Sequence, residues 1–216
     1  MYYWKTGHRL LRLLYPQRCW QMPDTEKRIY LSFDDGPHPR ITPWVLDQLR
    51  QYQARASFFC IGKNVKDFPG VYEQVLKEGH VTGNHSMHHL DGWKTSDANY
   101  LADVQAASKW IDSPLYRPPY GKMTSFQAAC LQQAGYRHIM WSVLSGDFDR
   151  SLSDEQCWKI VEKNTRPGSI IVYHDSEKAE ARLRYALPRT LEHFSRLGYV
   201  FAAIEIAGYG VPGSNK

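Results

Sequence analysis

Arg28-Ile-Tyr-Leu-Ser-Phe-Asp-Asp-Gly-Pro37 is a short apolar, β-rich run that ends in two adjacent carboxylates and a turn-forming Gly-Pro pair. The run predicts a strand over 28–33, with Asp34 and Asp35 at its carboxyl end. Neighbouring acids repel one another, and they persist most readily where a cation lies beside them or where they divide into ligand and base. A solvated Asp-Asp-Gly turn would be spelled with the same letters, so the pair decides nothing alone.

Outward from this run, further β-rich runs at 56–61, 80–84, 115–117, 136–141, 169–173 and 199–203 alternate with longer amphipathic stretches. That is the pattern of repeated βα units. The helices announce their ends. Thr42-Pro43 reads as an N-cap with proline at the first helical position, and Ser153-Asp-Glu-Gln156 as a capping box. Gly79, Gly135 and Gly198 stand where helix C′ glycines would, each just before a predicted strand. About seven such units predict an α/β protein whose parallel strands close into a barrel rather than spread as an open sheet.

The chain has 216 residues and 43% hydrophobic composition, enough for one sizeable core and one domain. Its formal charge of +5 is modest and spread along the chain, which argues against nucleic acid as a partner. Cys19, Cys60, Cys130 and Cys157 form no C-x-x-C pair, and Cys60 lies in an apolar run, so a buried free thiol is expected there. Residues 1–15 are too short and too interrupted by charge for a signal sequence or a membrane span. As a basic amphipathic segment they suit either peripheral contact with a membrane or packing across the barrel end. A cytoplasmic or peripherally membrane-associated protein is the resulting expectation. The chain divides into an N-terminal amphipathic extension (1–26), one main domain (27–207) and a Gly/Pro/Ser-rich flexible tail (208–216).

A second polar cluster is Gly83-Asn-His-Ser-Met-His-His89, again just past a predicted strand. His85 and His89 are four apart, a spacing that on a helical turn lets both imidazoles reach one ion, and His88, three from His85, is an alternative to His89. Histidine pairs are more often surface or core residues than ligands. Position changes the weighing: Asp34, Asp35, His85, His89, Arg117, Asp147 and His174 all fall at or shortly after the ends of different predicted strands. In a βα barrel those ends converge on one face, where an active site is built from the βα loops.

The ordered motifs Ser32-Phe-Asp-Asp-Gly-Pro37, His85-Ser-Met-His-His89, Arg117-Pro-Pro-Tyr120 and Val172-Tyr-His174-Asp resemble those of the NodB-like polysaccharide deacetylases, carbohydrate esterase family 4. The resemblance covers about 28–205 and implies a distorted (β/α)7 barrel with its active site at the carboxyl ends of the strands. It implies that Asp35, His85 and His89 hold a divalent metal, zinc first and cobalt or nickel next, with Asp34 as general base and His174 as general acid. Arg117 would hold Asp34, Tyr120 would offer its backbone N–H to the oxyanion, and Asp147 would tune His174. Those roles suit amide hydrolysis: a base must deprotonate water, a cation and an N–H must stabilise the oxyanion, and an acid must protonate the departing nitrogen.

The chain departs from the family pattern at Phe148, where Trp is common, and at Val172, where Leu is usual, both positions expected to line the acyl pocket. Tyr173 should alternate away from that face and pack. Trp93 is the best candidate for a sugar-stacking platform, while Trp141 suits the core at least as well. The leading expectation is removal of N-acetyl groups from a chitin- or peptidoglycan-like glycan. The runner-up keeps the chemistry on O-acetyl xylan or a small amide. A non-haem iron site has no need of Asp34 and His174, and a sugar-binding protein without activity has no need of the full acid, base and ligand set.

Overall fold

The computed structural model describes residues 8–23 and 26–205 of the chain. The first seven residues of the extension and the tail at 208–216 lie outside the described residues. Among the described residues there are eight short strands: β1 (Arg28–Asp34), β2 (Ala56–Cys60), β3 (Val81–Asn84), β4 (Leu115–Tyr116), β5 (Arg137–His138), β6 (Val143–Leu144), β7 (Ile170–His174) and β8 (Val200–Phe201). The helices are α1 (His8–Leu14), α2 (Ile41–Gln51), α3 (Gly62–Asp67), α4 (Pro69–Lys77), α5 (Asp97–Ala107), α6 (Ser125–Gln133), α7 (Asp154–Asn164) and α8 (Glu180–Arg196).

The strands run in the order β5-β4-β3-β2-β1-β7-β6, every pair parallel, and β8 pairs the first residues of β1. This is the expected distorted (β/α)7 barrel. Side-chain alternation splits each strand. From β1, Ile29, Leu31 and Phe33 face outward and pack with Val45, Leu46 and Leu49 of α2 and Leu183, Leu187 and Leu191 of α8. Tyr30 faces inward, meeting Phe59, Leu115, Ile139, Ile170 and Ile204 in a smaller inner cluster. Each fully buried aliphatic or aromatic side chain of these clusters contributes roughly 1.5–3 kcal/mol of burial free energy. Tyr173 packs outward as expected, its ring 6.2 Å from Phe33 and its hydroxyl 2.7 Å from Thr190 Oγ1.

The barrel is irregular on one side. Residues 136–141, expected as one strand, pair with β4 only at Arg137 and His138, and the chain then turns before a separate strand, β6, that the sequence did not announce. The segment before β1 occupies the gap. Cys19 bridges Ile139 and Gln21 bridges Ser169, so these residues link the β5 side to β7. In α1, Leu13 and Leu14 stand exposed. No helix among the described residues is long and apolar enough to cross a membrane.

The capping box at Ser153 and Gln156 is present, and a second one joins Thr124 to Gln127. Gly79, Gly135 and Gly198 are left-handed, each one residue past a helix C-cap. Thr42 does not cap α2, which begins at Ile41; its hydroxyl accepts from the His38 N–H (2.8 Å) and donates to Asp175. The four cysteines are free thiols, and burial pushes Cys60 well above the usual thiol range.

Candidate active site

The carboxyl ends of the strands gather the polar residues that the outer layers lack. Asp35 follows β1 in the left-handed region (φ 79°), a conformation costing about 1–3 kcal/mol for a residue with a Cβ. Its carbonyl accepts from Asn64 Nδ2 at 2.7 Å. His85 follows β3, and its Nδ1 lies 2.7 Å from the Arg117 carbonyl, an acceptor only. Nδ1 therefore carries the proton, and Nε2 presents its lone pair. That Nε2 is 3.8 Å from Asp35 Oδ1, and His89 Nε2 is 3.3 Å from the same oxygen. Asp35 Oδ1 is buried with no hydrogen-bond partner, and the three donor atoms lie within 4.8 Å of one another. Burial pushes both imidazoles down, His85 to about 3, so both rings are neutral at pH 7, the form that ligates. An unpartnered buried carboxylate oxygen between two neutral imidazole nitrogens fits a divalent cation.

The sequence left His85 with either His88 or His89. His89, not His88, lies beside Asp35 with His85; His88 turns out to solvent and its Nδ1 meets Asp103 Oδ1 at 2.6 Å. The reason is not the expected one. Residues 85–89 form no helical turn; Ser86 (φ 65°) and His89 (φ 58°) are left-handed, and these kinks point the two rings at one place.

Asp34 and His174 are register partners on the adjacent strands β1 and β7, so their side chains rise side by side from the inner face. Arg117 fixes Asp34. The guanidinium is fully buried, with Nη1 2.5 Å from Asp34 Oδ1 and 2.9 Å from Ser32 Oγ, Nε donating to the Ile139 carbonyl (3.1 Å) and Nη2 to that of Met140 (3.0 Å). Its charge also lies over the Phe59 ring at 3.9 Å. Asp147, itself fully buried, grips His174 twice: Oδ2 accepts the His174 N–H (2.8 Å) and Oδ1 lies 2.7 Å from Nδ1. Burial alone would push this imidazole down, but the Asp147 carboxylate, helped by Asp35 and Asp34, outweighs it and holds His174 up at about 9. Arg182 of α8 steadies the loop by donating Nε to the Asp147 carbonyl (2.6 Å).

The walls follow from the same strand ends. Phe148 stands edge-on to His174 at 5.0 Å, and Val172 is buried two residues below it on β7. Tyr120, left-handed at φ 58°, lays its exposed ring against His89 at 4.5 Å. Lys122 Nζ then lies 5.8 Å from the Tyr120 ring and 5.3 Å from that of Trp93. Trp93 is 67% exposed although its indole N–H donates to the Met123 carbonyl (3.3 Å) and its backbone N–H to Asp91 (3.0 Å). An exposed ring held at two points suits stacking. Trp141 instead packs on the inner cluster, 6.0 Å from the Arg117 guanidinium.

Several supporting residues escaped the sequence reading. Ser32 was within reach of it, two residues before Asp34 on the same strand face. Asp103 falls among Tyr100, Val104 and Ala107 on the buried side of α5, where an acid is out of place. Asn64, Arg182 and Asp175 carry no such signal. Asp175 is fully buried, contacts Gly36 and Thr42, and is pushed up to about 7 chiefly by burial.

Known proteins share both sequence and architecture with this chain. A family described as polysaccharide deacetylase matches residues 21–139. A peptidoglycan-N-acetylglucosamine deacetylase of Bacillus cereus is 38% identical over 191 residues, covering 86% of this chain and 90% of its own. A chitooligosaccharide deacetylase of Azorhizobium caulinodans is 30% identical, covering 88% and 94%. The crystal structure of the polysaccharide deacetylase Bc1974 from Bacillus cereus superposes with a TM-score of 0.73 at 30% identity, covering 85% of this chain and 95% of that one. That of the peptidoglycan N-acetylglucosamine deacetylase Bc1960 gives a TM-score of 0.80 at 25% identity, covering 89% and 94%. With its motifs in order at the strand ends and its sequence matched along most of its length, this chain belongs to the polysaccharide deacetylase family, carbohydrate esterases that act as hydrolases on carbon–nitrogen bonds.

Proposed function

We propose that this protein removes the N-acetyl group from N-acetylglucosamine units of a peptidoglycan-type glycan or chitooligosaccharide, with a divalent cation, zinc first, held by Asp35, His85 and His89. The observation that carries the reading is the orphaned Asp35 Oδ1 between two imidazole nitrogens, flanked by Asp34 and His174 on paired strand positions. When bound, the cation supplies a Lewis acid that acidifies water and polarises the amide carbonyl.

The protein's own groups supply the rest. Asp34, kept in place by Arg117, takes the proton from the attacking water. The Tyr120 backbone N–H donates to the oxyanion as it forms. His174, kept protonated at neutral pH by Asp147, gives its proton to the departing amine nitrogen, which leaves poorly without one. This last point favours an amide over an acetate ester, whose oxygen leaves more readily. Phe148 and Val172 close the acyl pocket, and Trp93 offers a face on which a neighbouring sugar ring stacks.

The test is acetate release from N-acetyl and O-acetyl oligosaccharides with added Zn²⁺, Co²⁺ or Ni²⁺. N-acetyl substrates should release acetate, a chelator should abolish it, and Asp34→Asn should abolish it while metal content stays intact. Loss of metal from Asp34→Asn with retention by His85→Ala would overturn the ligand assignment.

A further inference from the structure

His85 and His89 stand on a turn with two left-handed residues, and such a turn holds its shape only where other bonds fix it. Within the turn, Asn84 Oδ1 accepts from the Ser86 N–H (2.8 Å) and Ser86 Oγ from the His89 N–H (2.9 Å). Across it reaches Asp103, buried on the inner side of α5. Its Oδ2 accepts from the backbone N–H of Met87 (2.9 Å) and of His88 (3.0 Å), and its Oδ1 lies 2.6 Å from His88 Nδ1. On the opposite side, α3 donates the Gly62 N–H to the Ser86 carbonyl (2.9 Å) and the Lys63 N–H to that of Met87 (3.1 Å).

We propose that Asp103 is a positioning residue for the cation site: by gathering three donors of the 85–89 turn onto one carboxylate, it fixes His85 and His89 toward Asp35 before any cation arrives. The proposal rests on the reading of Asp35, His85 and His89 as ligands. A buried carboxylate is favourable only when its oxygens are satisfied, and here the donors come from the turn itself, so removing the acid both frees the turn and takes the acceptor from two part-buried N–H groups. Outer groups that orient metal ligands are worth about 10–100-fold in affinity. Asp103→Asn is the conservative exchange. Its amide oxygen can take both backbone N–H groups, and its NH₂ can donate to His88 Nδ1 once that ring shifts its proton to Nε2.

The experiment is competition of metal-free protein for Zn²⁺ or Co²⁺ against a chromogenic chelator. Asp103→Leu should bind about 10–100-fold more weakly than wild type, with Asp103→Asn and His88→Ala within about threefold. Affinity of Asp103→Leu within threefold of wild type overturns the proposal, whereas failure of the wild type itself to bind overturns the ligand reading. Should Asp103→Leu not fold, amide exchange of wild type decides. Met87 and His88 should be equally protected with and without Zn²⁺, and protection appearing only on adding Zn²⁺ would mean that the cation, not Asp103, orders the turn.

Discussion

In Asp147–His174 and again in Asp103–His88, one aspartate holds a histidine at the same two points, one carboxylate oxygen on the backbone N–H and the other at Nδ1. The surroundings differ. Asp147 is fully buried and His174 keeps 14% of its side chain exposed, with its register partner Asp34 alongside. The ring is held protonated at neutral pH. His88 is 57% exposed, and Asp103 adds the Met87 N–H, so this carboxylate acts chiefly on backbone. One local bond pattern thus holds a ring's protonation state in one place and a loop's backbone in the other.

The sharpest way to break the comparison is Asp147→Asn. The amide cannot hold His174 protonated, and acetate release should fall about 10²–10³-fold with metal content unchanged. A fall of less than tenfold, read by single-turnover acetate release, would remove His174 from the role of acid. A second difference lies in stability. His174 is raised to about 9 in the folded protein from roughly 6.5 when unfolded. Its contribution is therefore fully present below about pH 6.5 and is lost as pH rises through 9. Calorimetry of metal-free protein should show a melting temperature that declines across that window, more shallowly in Asp147→Asn; an equal decline would assign the slope elsewhere. A bound cation offsets Asp35 and should move the window down. The smallest effect is expected for His88→Ala, which leaves both backbone bonds of Asp103 in place and should keep acetate release within about threefold of wild type. A loss as large as that of His174→Ala would make the two pairs functionally alike.

Much of this was readable in the sequence because it depended on period and punctuation. Buried strands such as Ile29–Phe33 and Ile170–Tyr173 are apolar runs interrupted only by Ser32, and glycines 79, 135 and 198 mark the helix ends by their left-handed backbones. Ionisable residues recurring at strand ends located the site for the same reason. What stayed hidden depended on contacts between distant segments. In the run 136–141 the carbonyls of Ile139 and Met140 are taken by Arg117, while Cys19 bridges Ile139 and accepts the Met140 N–H, so a side chain and the early segment occupy the place of a neighbouring strand. The spacing of four between His85 and His89 was legible, but the left-handed kinks that bring both rings to Asp35 were not, since Ser86 and His89 are not residues that advertise them. Asp103 was visible only as an acid on an apolar helix face.

Arg117 joins the two sides of the barrel, reaching Ser32 and Asp34 on one and the Ile139 and Met140 carbonyls on the other. Asp34 is aimed by a guanidinium whose own aim depends on that far wall being in place. On the proposed roles, a chain whose wall at 137–140 has come loose would keep Asp34 and His174 and still have an unaimed base. Turnover would then report on the seam at 137–140 as well as on the residues that touch substrate.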